Sequence, residues 1–289
     1  MVGATERIAQ EMAALDNATS AIADEFYSAY STYLTILGQA VRQQLILASY
    51  HVCTQGYPEA FLSLPFSQRQ QLQQRLRHLA QQVQEEILAQ LHVPVKLDDS
   101  EVDPVSLELT SGADSQPAAA LLTIAPFAST QAPPSLTPTH LAQWREELEY
   151  AIAAELKTAS HAANHLLQQA NILPQTLPEP ILEAATRAER SEARAGTPNL
   201  LNLLVEADSG TVETDPSEES NGRALMHIVA IYLRLAEIEF ADPTVAAARS
   251  KIRNLFARLK TLGRGYQAKR HEQSIAEAQA AWRSTWMED

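Results

Sequence analysis

A dense run of basic residues is the first feature of this sequence that could do chemistry. Residues 251–270, KIRNLFARLKTLGRGYQAKR, hold seven Lys and Arg and no acid, whereas the chain of 289 residues has a formal net charge of −13. Lysine and arginine side chains bind phosphates, so the run could contact a nucleic acid or an anionic membrane surface. It could also flank the seam between two packed helices.

The basic residues lie beside an apolar stripe and not opposite it, which favours the helix seam. On a helical wheel the stripe contains Val245, Ala248, Ile252, Leu255, Phe256, Leu259, Leu262 and Tyr266. The candidate interaction residues on its two edges are Arg249, Lys251, Arg253, Arg258, Lys260 and Arg264. The first 41 residues contain five acids and one base. We therefore expect the basic C-terminal helix to pair with the acidic N-terminal helix.

Two smaller sets of residues could bind a metal or act on a substrate. His161 and His165 are one helical turn apart and could chelate a metal, but no third ligand or adjacent Glu accompanies them. His51 and Cys53 could form a base and a nucleophile, but at a helix end their side chains diverge, and a lone Cys is most often a small buried hydrophobe. No P-loop, GxGxxG or GxSxG motif occurs. We predict no catalytic residue, no cofactor and no metal site, and hence no enzyme.

Apolar residues recur every three or four positions along most of the chain, as they do in amphipathic helices. The pattern predicts an all-α fold, an elongated helical bundle or set of coiled-coil hairpins with two flexible linkers. The predicted helices cover residues 6–48, 68–91, 137–173, 179–195, 223–240 and 243–287. The segments in order are a long helical hairpin (1–92), a Pro/Ser/Asp-rich linker (93–136), a helical segment (137–205), an acidic disordered linker (206–222) and a C-terminal helical hairpin packing on the N-terminal helices (223–289).

The amino-acid composition indicates in which cellular compartment the protein acts and which class of partner it avoids. The single cysteine, Cys53, excludes an intramolecular disulfide and fits a reducing compartment. No stretch approaches the roughly 20 apolar residues of a membrane span. The acidic balance argues against a general binder of polyanions. We therefore expect a soluble cytoplasmic protein without a membrane span.

Four phrases of the sequence also resemble those of a known family. They are LGQAVRQQLILASYHVCTQGYPEAFLSLPFSQRQQLQQ, PNLLNLLVEA, LRLAEIEFADP and EAQAAWRSTW. Together they are similar to a conserved cyanobacterial family of helical proteins. The resemblance implies a cyanobacterial protein of the cytoplasm, and it carries no activity, ligand or catalytic residue with it.

These observations favour a non-enzymatic scaffold or adaptor. It would act through helix-mediated protein–protein interaction, possible self-association included. The alternative is a nucleic-acid-associated regulator that uses the basic helix at residues 249–270. Nucleic acid would then be the partner, and the basic face would have to be exposed and free of acidic neighbours.

The linkers generate a first prediction. Limited proteolysis should nick the protein first within residues 95–135 and 206–222, because proline, serine and acidic residues cannot build a packed core there. Mass spectrometry of the early fragments would locate the cuts. Early cleavage within the predicted helices, with both linkers resistant, would contradict these boundaries.

Overall fold

The apolar stripe at the start of the sequence forms one helix, α1, from Ala4 to His51. The structure is a computed structural model, and it describes residues 4–94, 136–174, 197–207 and 224–286. This part of the protein has an all-α fold with six helices and one two-stranded β-hairpin. With 48 residues, α1 is about 70 Å long. Its buried apolar side chains run from Ile8 to Ala48, and the three other long helices all contact it.

Helix α1 folds back onto a second long helix through a short connection. A π-helical turn covers Val52–Gly56, and α2 (Pro58–Ser63) leads into α3 (Phe66–Ala89). The buried stripe of α3 consists of Leu72, Leu76, Ala80, Val83 and Ile87. Gly38 of α1 permits the close approach, because a Cβ there would lie 3.1 Å from Cγ of Gln84. The two helices therefore pack closely as a hairpin.

Helix α4 (Pro138–Gln169) begins at the residues that its sequence predicts. The Thr137 hydroxyl accepts a hydrogen bond of 3.3 Å from the backbone N–H of His140, and Pro138 occupies the first helical position. Its buried stripe includes Leu141, Trp144, Leu148, Ile152, Leu156, Ala159, Ala163 and Leu167. Through this stripe α4 packs against α3 and the last helix.

The last third of the chain contains α5 (Leu235–Ala241) and α6 (Pro243–Trp286). Helix α6 lies antiparallel to α1, and the apolar stripe predicted for it faces the core. The buried residues of α6 are Val245, Ile252, Leu255, Leu259 and Tyr266. The structure thus places the basic helix against the acidic one.

One predicted helix is wrong. Instead of a helix over residues 223–240, the chain forms strand β2 (Ala224–Ile231) and then α5, and β2 pairs antiparallel with β1 (Leu200–Ala207). The sequence of β2, ALMHIVAI, is a short apolar run, and periodicity alone does not distinguish a buried strand from a buried helix in such a run. The partner strand LLNLLVEA decides the outcome, because pairing satisfies the backbone groups of both strands.

Polar side chains of α4 hydrogen-bond the β1–β2 hairpin to the helices. The Asn164 amide donates to the carbonyl of Ile231 and accepts from its N–H, both at 2.9 Å, on the edge of β2 that faces away from β1. Just beyond the strand, the Ser160 hydroxyl accepts from the N–H of Leu233 at 2.9 Å. The Asn164 side chain of α4 therefore bonds the backbone groups that a third strand would otherwise pair at this edge.

Several sequence-based predictions lie outside the described residues. They are the helix at 179–195, almost all of the linker at 93–136 and most of the linker at 206–222. Within the four described ranges, no helix is long and apolar enough to cross a membrane.

The Asn164 contacts generate a second prediction. Asn164→Ala should lower the free energy of unfolding by about 2 to 4 kcal/mol, because it leaves a buried N–H and a buried C=O unpaired. Urea unfolding followed by circular dichroism would measure the change. Thr158→Ala, at an exposed position of the same helix, is the control and should change stability little. Equal effects of the two substitutions would show that Asn164 does not hold the hairpin.

Helices α3 and α4 also meet at two carboxyl groups. Glu155 of α4 is partly buried and lies close to Glu86 of α3. Burial, together with the charge of Glu86, raises the pKa of Glu155 to about 7. The folded protein therefore holds a proton here that the unfolded chain releases near the ordinary pKa of 4.5.

This pair generates a third prediction. Because the folded state binds more protons between about pH 4.5 and 7, stability should fall as pH rises through that range. Glu155→Gln should flatten this dependence and add about 1 kcal/mol at about pH 8, a value reduced for solvent screening. Urea midpoints of parent and variant across this range would test it. Glu146→Gln, an exposed acid on the same helix, should leave the pH dependence unchanged.

Candidate functional site

The structure divides the six predicted interaction residues into two groups. Those that form ion pairs with acids on other helices are Arg249, Arg253 and Arg258. Those without an ion pair to any residue that the structure describes are Lys251, Lys260 and Arg264. The Lys260 ammonium instead lies 4.6 Å from the ring centroid of Phe256. Three of the six predicted interaction residues are thus already paired with acids of the same protein.

Arg249 is the centre of a network that joins four helices. Its guanidinium forms a two-pronged ion pair with Glu149 of α4, and its Nε lies 3.2 Å from Glu239 of α5. On α1 the hydroxyl of Tyr30 donates to Glu149 at 2.5 Å, and that of Tyr33 donates to Glu239 at 2.7 Å. Both tyrosines are fully buried. Each carboxylate therefore has a cation and a hydroxyl as partners.

The two tyrosines and the arginine of this network stay protonated at neutral pH. Burial raises the pKa of Tyr30 and of Tyr33 far above the usual value, and the neighbouring carboxylates raise it further. Burial alone would lower the pKa of Arg249, but the hydrogen bond and charge of Glu149 outweigh that effect and raise it. None of these three groups changes charge near neutral pH. The network suits a structural role better than acid–base chemistry.

Two exposed ion pairs align α6 with α1. Arg258 contacts both oxygens of Glu25, at 2.5 and 3.0 Å, and Lys269 lies 2.6 Å from Glu11. The hydrogen bond from the cation lowers the pKa of each carboxylate. Exposed pairs add little stability, so their effect is to select the antiparallel register.

Burial opposes the use of Cys53 as a nucleophile, and the prediction that the histidines bind no metal stays a prediction. Cys53 is buried, and burial raises the pKa of its thiol to about 11, the opposite of activation. His165 is exposed, and its Nδ1 lies 3.3 Å from Nε2 of Gln169. The described ranges contain no group of three or more side chains that could hold a metal ion.

An apolar pocket of about 270 Å³ lies where α1 turns back into α3. Its lining residues are Ile46, Ser49, Tyr50, Cys53, Thr54, Phe61, Leu72, Gln73, Leu76 and Arg77. The hydroxyls of Ser49 and Thr54 each donate to a backbone carbonyl one turn back, at 2.7 Å. These two hydroxyls are therefore already hydrogen-bonded within the helix, and the pocket presents mainly carbon atoms to a ligand.

The π-helical turn shapes this pocket. The N–H of Tyr57 donates to the carbonyl of Val52 at 2.8 Å, five residues back, which widens the end of α1. Strand β2 holds the turn, because the N–H of Val229 donates to the Tyr57 hydroxyl at 3.0 Å. At Gly56 an added Cβ would lie 3.3 Å from Cβ of Val229, so the small residue permits this contact. The turn places Cys53 in the pocket wall.

The segments that line the pocket also carry large apolar side chains that remain exposed. Tyr50 is 58% exposed, and Phe66, which begins α3, is 75% exposed. Further exposed apolar side chains in this region are Ile46, Leu47 and Leu62. Apolar residues concentrated at one end of a helical hairpin are typical of a protein-binding surface. We call this surface, with the pocket, the apolar end of the hairpin.

Three arginines of α3 add positive charge to the apolar end. Arg69, Arg75 and Arg77 occur without an acid between residues 60 and 84, and Arg77 lines the pocket. None of the three forms an ion pair with a residue in the described ranges. Arg77 therefore offers a cation to an acidic partner at the apolar pocket, whereas Arg75 lines a separate cleft with Gln71 and Leu166.

The pocket was not predicted from the sequence. Phe61 and Leu72 are separated by a turn that contains Pro65, and their convergence depends on how that turn folds. The sequence did contain one indication of it. Ile46, Leu47 and Tyr50 add apolar side chains at the end of α1 beyond those that a single buried stripe can hold, so some of them must be exposed.

Comparison of the chain with known protein families, with curated proteins and with solved structures finds no match. The resemblance to a cyanobacterial family gains no support from these comparisons.

Proposed function

We propose that this protein is a non-enzymatic adaptor that binds a helix of a partner protein at the apolar end of its α1–α3 hairpin. The observation that carries the proposal is the apolar pocket with its exposed apolar surround. The single thiol, Cys53, suits action in the reducing cytoplasm.

The lining of the pocket favours an apolar side chain over a cofactor. Sites for cofactors and drug-sized ligands carry several convergent polar groups. This pocket has about 270 Å³, and the hydroxyls in its wall are bonded to the backbone. One or two aromatic side chains on a helix would fill it, with the surrounding apolar surface covered by the rest of that helix.

The charges near the pocket define the partner further. Arg69, Arg75 and Arg77 favour an amphipathic helix with acidic residues beside its aromatic anchors. Charge of this kind speeds association and selects the partner, while the apolar contacts supply most of the affinity.

The alternative of a nucleic-acid-associated regulator has less support. Two of its cations, Arg249 and Arg258, are already bonded to carboxylates of the same protein. Arg253 lies 3.9 Å from Glu239. The remaining three cations belong to a protein with a net charge of −13, which repels a polyanion at long range.

A photo-crosslinking side chain at position 50 tests the adaptor function, which is our fourth prediction. In nuclease-treated extract of the source cells, it should join the protein to a partner at a helix that carries aromatic and acidic residues. Mass spectrometry of the crosslinked peptide would identify that helix. Ile46→Glu should reduce the yield at least about tenfold, because it buries a charge in the interface.

Position 150 provides the matched control, because Tyr150 of α4 is 78% exposed and does not line the pocket. A crosslinker there should not capture the same peptide. Equal capture from both positions, or capture that nuclease treatment abolishes, would contradict the adaptor function. The second result would favour the nucleic-acid alternative.

A further inference from the structure

The C-terminal end of α6 carries an exposed aromatic pair. The rings of Trp282 and Trp286 stack with centroids 5.7 Å apart, and the side chains are 66% and 73% exposed. Ile275, also exposed, lies seven residues before Trp282 and therefore on the same helical face. Two adjacent exposed tryptophans form a large apolar surface, because each can bury about 150 to 250 Å² in an interface.

The last turns of α6 lie beyond the part of α1 that the structure describes. Lys269 pairs with Glu11, and α1 continues for only seven described residues on that side, to Ala4, whereas α6 continues for seventeen, to Trp286. At 1.5 Å per residue the difference is about 15 Å. Every residue from Glu277 to Trp286 is exposed. We call residues 271–286 the tip.

The tip has the chemistry that the apolar end of the hairpin would bind. It presents an aromatic pair on a helix with Glu272 and Glu277. Within the tip, two acids and Arg283 give a formal charge of −1, and Glu272 is also paired with Lys269. Glu288 and Asp289 follow the tip in the sequence, and residues 66–78 contain three arginines and no acid, a charge of +3. The two regions are complementary in both apolar character and charge.

Within one molecule the two regions cannot meet. The tip lies near the start of α1, next to Glu11, whereas the pocket lies near its end, at Tyr50. Tyr50 is 39 positions after Glu11, a separation of about 58 Å along continuous helix. A tip can therefore reach a pocket only on another molecule.

We propose that the partner is a second copy of this chain, whose tip docks through Trp282 and Trp286 into the apolar end of the hairpin. This inference rests on the proposed adaptor function and names its partner. The contact joins two different surfaces, a tip and a pocket, and a pair held by a single contact is open at both ends. Each molecule in such a pair keeps one free tip or one free pocket, so association continues head to tail.

Sedimentation velocity of the purified full-length chain provides the test and our fifth prediction. The average mass of the parent should rise with concentration in the micromolar range or above. A tip variant, Trp282→Ser with Trp286→Ser, and a pocket variant, Ile46→Glu with Tyr50→Glu, should each raise the dissociation constant at least about tenfold, since tenfold corresponds to about 1.4 kcal/mol. All four positions are exposed, and circular dichroism should show unchanged helix content. Tyr150→Glu should associate like the parent.

Mixing the two variants gives the sharpest result. The tip variant keeps an intact pocket and the pocket variant keeps an intact tip, so the mixture should form a one-to-one dimer that grows no further. A parent that stays monomeric at every concentration would overturn the inference. So would a pocket variant that still dimerises, since that result would indicate tryptophan pairs contacting each other. If the parent is monomeric but a crosslinker at position 50 still captures another protein, the inference of self-association is overturned and the adaptor function is retained.

Discussion

Burial of one long apolar face on α1 is the constraint on which the rest of the structure depends. A helix of 48 residues has no stable existence in water with such a face exposed, so other elements must cover it along its length. Helix α3 covers the part near the turn, and α6 covers the part near the start. The chain is elongated because its covering helices are placed along α1 and not around one centre.

Apolar burial does not by itself determine how these helices pair, since stripes of Leu, Ile and Ala can slide past each other. Polar contacts remove the ambiguity. The network around Arg249 requires Tyr30, Tyr33, Glu149 and Glu239 to be in place at once, so it joins four helices in one arrangement. A buried charge that loses its partner is costly, so alternative packings are disfavoured more than the native one is stabilised.

The sequence predicts the helices of this fold well and its strands poorly. Long periodic segments such as α1 and α6 are recognisable because the spacing repeats over many turns. Strand β2 is short and apolar throughout, and what makes it a strand is distant in sequence: β1, and the Asn164 side chain. The basic edges of α6 are visible in the sequence, but which cations find acids depends on the neighbouring helices. Arg258 does, and Lys260 does not among the residues that the structure describes.

The pairing of the first long helix with the last affects how the chain is made. Glu25 and Arg258 are 233 residues apart, and at a synthesis rate of about 5 to 20 residues per second that separation takes roughly 10 to 50 s. During this interval the half of α1 that α6 will cover emerges from the ribosome without its partner. Local contacts complete the α1–α3 hairpin early. The N-terminal half of α1 is covered only after α6, the last helix, has been translated. Protection of the nascent α1 by chaperones is therefore most needed at its N-terminal half.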